Sequence, residues 1–86
     1  MARMTLKQRL LARSKRVKSG CLEWMGKRDK HGYGRVSVLI NGQTKVKFAH
    51  RLSYQEFVGE IAPYPNVLHK CDNPSCIESA HLFNGT

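Results

Sequence analysis

The run His69-Lys70-Cys71-Asp72-Asn73-Pro74-Ser75-Cys76-Ile77-Glu78-Ser79-Ala80-His81 constrains this chain more than any other stretch of it. Its spacing, H-x-C-x4-C-x4-H, lets one tight loop present two thiolates and an imidazole to a tetrahedral Zn²⁺. Cys71, Cys76 and His81 supply three ligands. Cys21, fifty residues upstream of Cys71, completes a Cys3His set of the kind that closes a structural zinc site. His69 is then left beside the site and free for other work. The residues alone also permit His69 as the fourth ligand in place of Cys21, or a set of buried free thiols. The chain has three cysteines, and an odd number cannot all pair as disulfides within it, which favours a metal.

A chain of 86 residues is one domain at most, with a small core. A zinc site can contribute on the order of 10 kcal/mol or more of binding energy that is also folding energy. No apolar stretch or small-residue cleavage site follows the basic N-terminus, so no leader peptide is expected. The apolar run Val38-Leu39-Ile40 is far too short to span a bilayer. The expectation is a cytoplasmic protein of a reducing compartment, with no membrane partner.

The formal charge of +9 is unevenly spread. Residues 1–35 hold eleven Lys and Arg against Glu23 and Asp29, whereas residues 36–86 hold four of each sign. The whole excess precedes the cysteine-rich loop, and a block of that kind attracts polyanions. The plainer reading is a solubilising basic tail.

Thr5-Leu6-Lys7-Gln8 fits a capping box and predicts a helix from about Leu6 to Val17, ended by Ser19-Gly20. Leu6, Leu10 and Val17 lie roughly on one face, and Arg9, Arg13 and Arg16 lie largely off it. Cys21-Leu22-Glu23-Trp24 reads as a short strand, and Lys27 to Gly34 as a basic, glycine-punctuated loop. Tyr33–Ile40 and Gln43–Phe48 read as a hairpin. Val36, Val38 and Ile40 alternate with Arg35, Ser37 and Leu39, and Val46 and Phe48 alternate with Lys45 and Lys47. Asn41-Gly42 between them is the strongest short hairpin signal, because both residues tolerate positive φ. Ala49 to Val58 reads as a helix with Leu52, Phe57 and Val58 as its apolar residues and Gly59 after its end. Pro63 and Pro65 forbid regular structure. Val67-Leu68-His69 and Leu82-Phe83 read as short strands flanking the loop. Trp24, Tyr33, Phe48, Tyr54 and Phe57 are core candidates, with base stacking an alternative for Tyr33. His31 reads as a solvated loop residue, and His50 as a residue that caps or packs a helix start, with a catalytic role as the alternative.

Four ordered elements carry a resemblance: Cys21-Leu22-Glu23-Trp24, Gly32-Tyr33-Gly34-Arg35, Ala49-His50-Arg51, and the H-x-C-x4-C-x4-H-L run with Gly85-Thr86. Together they resemble the zinc-bound HNH endonucleases common in phage genomes and the related His-Cys box homing endonucleases. The resemblance covers about three quarters of the chain. It implies an α+β fold: a small zinc-stabilised ββα-metal (His-Me finger) domain over residues 21–86, carrying a β-hairpin and preceded by a basic N-terminal helix in residues 1–20. It implies hydrolysis of duplex DNA with His69 as general base. A near-neutral imidazole at a strand end suits that role. Arg35 or Arg51 would clamp the scissile phosphate, with a salt bridge to Glu56 or Glu60 as the plainer role for Arg51. Arg9, Arg13, Arg16, Lys27, Arg28, Lys30, Arg35, Lys45 and Lys47 would contact double-stranded DNA, mostly at phosphates. A homodimer would be needed to cover a palindrome, and the N-terminal helix is the one spare element to form it.

The resemblance also implies a catalytic Mg²⁺ or Mn²⁺ bound by an Asn nine residues after His81. That Asn would fall at position 90, and the sequence stops at Thr86. The expectation is therefore a truncated endonuclease, phage-encoded, lacking its metal-ligand helix. The alternatives are a catalytically inactive zinc-stabilised DNA-binding protein on the same scaffold, and a small zinc protein whose basic segment contacts an acidic protein.

Overall fold

The computed structural model describes residues 5–62 and 66–85, so Pro63 and Pro65 lie outside the described residues. Over the described residues the fold is a small α+β arrangement of two helices and three antiparallel strand pairs. The capping box forms as its residues predict: the Gln8 amide N–H donates to Thr5 Oγ1 at 3.1 Å, and the Thr5 N–H donates to Gln8 Oε1 at 2.8 Å. Helix α1 (Leu6–Ala12) follows, with Leu10 completely buried.

The helix stops well short of Val17. Arg13 caps it, and Ser14–Arg16 becomes strand β1, paired antiparallel with β2 (Leu22–Trp24) in the register Ser14–Trp24, Lys15–Glu23 and Arg16–Leu22. The Met25 N–H donates to the Arg13 carbonyl at 2.7 Å, and the Val17 N–H to the Cys21 carbonyl at 3.0 Å. Strand pairing wins because a longer helix would have gained only Val17 as a further apolar contact, whereas β2 offers the backbone a full set of partners. The turn closes at Gly20, whose φ of +88° favours a residue without Cβ. This hairpin delivers Cys21, and the sequence boundary expected at residue 20 falls inside it.

Strands β3 (Arg35–Ile40) and β4 (Gln43–Phe48) form the expected hairpin. Asn41 and Gly42 have φ of +50° and +77°, the pattern of a two-residue type I′ turn. That turn pairs Ile40 with Gln43, and hence Val38 with Lys45 and Val36 with Lys47. Directly paired side chains share a face. Val36 and Val38 therefore lie on one face with the two lysines, and Phe48 and Val46 lie on the other with Arg35 and Ser37. The strands' separate alternations do not combine into one apolar face. Val36 is buried in the core and Val38 packs partly against it, while Leu39 and Val46 are 66% and 57% exposed.

Helix α2 (Ala49–Phe57) starts directly from β4 with no side-chain cap; the Ala49 N–H donates instead to the Gly34 carbonyl at 2.9 Å. At its other end the Val58 and Gly59 N–H groups both donate to the Tyr54 carbonyl. Ala49 and Leu52 face a core completed by Leu10, Trp24, Val36 and Ile77. Phe57 and Val58 are exposed, which corrects their assignment to the apolar face. The ring of Phe57 instead lies 5.7 Å from Lys7 Nζ on α1. Since α1 contributes Leu10 to this core, it is not a spare element. Strands β5 (Asn66–His69) and β6 (Leu82–Gly85) pair antiparallel, with His69 opposite Leu82 and a 3-10 turn (Ser79–His81) before β6. Among the described residues no helix follows β6, and none is long and apolar enough to cross a membrane.

Leu10→Ala is expected to cost about 2–5 kcal/mol of unfolding free energy, and Leu11→Ala, at a half-exposed neighbour, less than about 1 kcal/mol. Denaturant unfolding of the two variants checks this; equal small losses would remove α1 from the core.

Candidate metal centre and histidine groove

The thiols of Cys21, Cys71 and Cys76 and an imidazole nitrogen of His81 lie within 4.8 Å of one another. His81 Nδ1 is 3.7 Å from Cys21 Sγ and 3.5 Å from Cys76 Sγ. Tetrahedral coordination with Zn–S near 2.3 Å and Zn–N near 2.0–2.1 Å gives S···N edges of about 3.6 Å, so these distances suit a common central ion. The group could hold a structural metal such as zinc. Cys21 and Cys76 are buried, and Cys71 is partly exposed.

The thiols' electrostatics point the same way. Burial pushes Cys76 up to about 12. At Cys21 burial also raises the pKa, but hydrogen bonds from Ser19, Cys76, Cys71 and His81 outweigh it and bring the thiol down to about 7. One thiolate forms readily, and a second is opposed by burial and, less, by its thiol neighbours. A divalent cation at the centre removes that opposition.

Backbone bonds set this geometry. Trp24 N–H donates to the Ser75 carbonyl and Ile77 N–H to the Leu22 carbonyl, both at 2.8 Å, stitching β2 to the loop. The Lys70 N–H donates to the His81 carbonyl at 2.7 Å and closes the loop at its base. Asn73 braces its middle. Its Oδ1 accepts from the Ser75 N–H and hydroxyl, and its Nδ2 donates to Glu23 Oε2 at 2.9 Å. The Ser53 hydroxyl donates to the Ile77 carbonyl at 2.5 Å, anchoring the loop to α2.

His69 is outside the thiol cluster. Its Nε2 lies 2.9 Å from the Cys76 carbonyl oxygen. A carbonyl only accepts, so Nε2 carries the proton and Nδ1 holds a free lone pair. Burial lowers the His69 pKa below the ordinary value, against the raising effects of the Cys76 hydrogen bond and Asp72. The ring lines an open groove of about 740 Å³ together with Tyr33, Phe48, His50, Arg51 and Asp72.

His50, expected to cap or pack a helix start, packs against His69. It is 6% exposed, in the first turn of α2, and its ring centroid is 4.7 Å from that of His69. Burial, then the charges of His69 and Arg51, push its pKa down to about 4, against a hydrogen bond to the Val67 backbone. Its Nδ1 is the one buried side-chain N or O atom among the described residues without a hydrogen-bond partner. Such an atom costs about 1–3 kcal/mol. Its sequence signal was its place beside Arg51 in Ala49-His50-Arg51, which gives no hint that β5 approaches.

Arg51 lines the groove; Arg35 does not. The Arg35 guanidinium stacks 4.1 Å from the centroid of Phe48 and pairs with Asp29 at 3.4 Å, in a smaller depression lined also by Lys27 and Arg28. Desolvation raises Asp29, but hydrogen bonds from the His31 and Tyr33 N–H groups and the charge of Arg35 prevail and lower it. Other arginines of the basic block hold the fold. Arg9 donates to the Ser37 carbonyl at 2.9 Å, and Arg28 donates twice to the Trp24 carbonyl. Arg16 lies on β1 rather than a helix, donating to the Gly20 carbonyl and pairing with Glu78 at 3.2 Å. Arg13, Lys27, Lys30, Lys45 and Lys47 are exposed and make no ion pair among the described residues.

The chain is similar to two proteins of Escherichia phage T7. It is 40% identical over 83 residues to Protein 2.8, covering 96% of this chain and 55% of that protein. It is 42% identical over 66 residues to Protein 7.7, covering 77% of this chain and 48% of that protein. The chain thus spans about half the length of the curated relatives it matches, and neither name carries an activity. No protein-family model matches the chain, and no solved structure does.

Two outcomes follow from this geometry. Metal analysis of purified protein is expected to find about one zinc per chain, and Cys76→Ser to lose it together with most of the thermal stability. Folded protein with no metal would remove the centre. His50, depressed to about 4 in the fold against 6.5, takes up a proton more readily once unfolded. Its contribution to stability is present above pH 6.5 and is lost as pH falls towards 4. Unfolding midpoints should therefore fall less between pH 7 and pH 5 in His50→Phe than in the native chain.

Proposed function

We propose that this chain is the zinc-stabilised module of an HNH-type, metal-dependent endonuclease that hydrolyses phosphodiester bonds of duplex DNA, with His69 as general base. The observation that carries the reading is the orientation of His69. Its Nε2–H is held by the Cys76 carbonyl, and its free Nδ1 belongs to a ring lining an open groove. The lowered pKa keeps the ring in its neutral, proton-accepting form at pH 7. In this mechanism Nδ1 takes a proton from a water in the groove as that water attacks phosphorus in line with the leaving 3′ oxygen. Arg51, on the groove wall, pairs with a non-bridging phosphate oxygen. The zinc ligands Cys21, Cys71, Cys76 and His81 have a structural role: they hold the loop whose carbonyl aims His69.

The catalytic Mg²⁺ or Mn²⁺ implied by the resemblance does not fit the described residues by themselves. Among them only the Cys3His group gathers as a candidate ligand cluster. That same observation favours a second reading, a catalytically inactive zinc-stabilised protein that binds duplex DNA on this scaffold. In both readings Arg13, Lys27, Lys30, Lys45 and Lys47 are the cations most available to phosphates, because Arg9, Arg16, Arg28 and Arg35 already serve the fold. The likeness to two phage T7 proteins supports a phage origin, and hence action inside the infected cell.

A plasmid-nicking assay with Mg²⁺ or Mn²⁺ separates the readings. Cleavage reduced by about 10²-fold or more in His69→Ala supports the base role, and equal cleavage by the two proteins sinks it. Duplex binding without cleavage supports the second reading. In either case affinity should drop roughly a thousandfold between 50 and 200 mM salt if about six phosphates are contacted. Binding indifferent to salt points to an acidic protein partner instead.

A further inference from the structure

We propose that His50 is a positioning residue for His69: its ring, tethered to β5, blocks rotation of the His69 imidazole and so keeps Nδ1 as the groove-facing base. The inference rests on the reading of His69 as general base and names the residue that sets its orientation. A single hydrogen bond, from Nε2 to the Cys76 carbonyl, fixes one edge of the His69 ring. One bond does not prevent the ring from flipping about its Cβ–Cγ axis, which would put Cε1 in place of Nε2 at the Cys76 carbonyl and release the tautomer that this bond fixes. A second surface is required, and His50 supplies the nearer one, at a centroid separation of 4.7 Å and an interplanar angle of 43°, whereas the Tyr33 ring stands off at 6.1 Å.

His50 is itself fixed. Its hydrogen bond is to the backbone of Val67, two residues before His69 on the same strand. Val67 and His69 belong to one short strand, so the tether and the ring it serves are carried by the same backbone. Tyr33 and Phe48 close the other sides, with ring centroids 5.6 and 5.4 Å from that of His50. The orphaned Nδ1 of His50 argues against mere packing. A phenylalanine would fill the place without burying an unpaired polar atom, but it could not bond to the Val67 backbone. Being held neutral, His50 also places no charge against a proton arriving on its neighbour.

The test is nitrogen NMR of the imidazoles in the metal-loaded protein at one fixed pH, on which enzymatic activity has no bearing. The native chain is expected to show His69 as a single Nε2–H tautomer, with Nδ1 at the shift of an unprotonated ring nitrogen. In His50→Ala the two His69 nitrogen shifts are expected to move towards each other as the tautomers interconvert, with the amide spectrum and zinc content otherwise retained. His50→Phe, which restores a ring, should recover most of the native pattern, and His50→Gln, which restores only a polar group, should recover less. Native shifts in a folded His50→Ala would overturn the proposal. If the alanine variant does not fold, the Phe and Gln variants decide: identical His69 spectra in those two would overturn it equally. A His69→Ala protein that still cleaves DNA would remove the base reading, while the tautomer result would stand or fall separately.

Discussion

Everything near the candidate site depends on Cys21 closing onto the loop between β5 and β6. Ile77 is the one residue of this loop in the apolar core, and the rest of its backbone would otherwise have to satisfy its own polar groups. The Ser75 and Ile77 bonds join it to β2, and the candidate ligand cluster brings it against Cys21. Its Cys76 carbonyl then points at His69. One residue, Cys76, thus belongs through its side chain to the candidate metal centre and through its backbone carbonyl to the histidine groove. Any disturbance of the centre reaches the groove by the shortest covalent path.

The basic half of the chain has two duties. Four of its arginines are spent on backbone carbonyls and carboxylates: Arg9 on β3, Arg16 on Gly20 and Glu78, Arg28 on Trp24, Arg35 on Asp29. These bonds tie the N-terminal hairpin and the glycine-rich loop to the rest of a small core. The lysines are mostly left over for solvent or a polyanion. This division follows side-chain chemistry, since a guanidinium fork satisfies carbonyls and carboxylates with fixed geometry while an ammonium group remains well hydrated.

Much of the local structure was legible in the residues. The Thr5–Gln8 capping box, the Asn41-Gly42 turn, the start of α2 at Ala49 and the strands on either side of the loop are set by contacts between near neighbours. The errors share one cause. The segment Arg13–Val17 left its helix for a strand partner, β2, that its own pattern could not reveal. Phe57 turned out to solvent because α2 meets only a narrow core. Val46 and Phe48 lie across the hairpin from Val36 and Val38 because a two-residue turn pairs even positions with odd ones.

The candidate site divides in the same way. The sequence by itself determined the ligand types, the spacing of Cys71, Cys76 and His81, and the place of His69 at a strand end, because these are properties of one short loop. Only the tertiary structure decided that Cys21 joins them, that Arg51 rather than Arg35 borders the groove, and that His50 backs His69. Those are contacts between segments 19 to 60 residues apart. Their geometry depends on how β2, α2 and β5 pack around Trp24, Leu52 and Ile77, which no spacing rule within a single segment encodes.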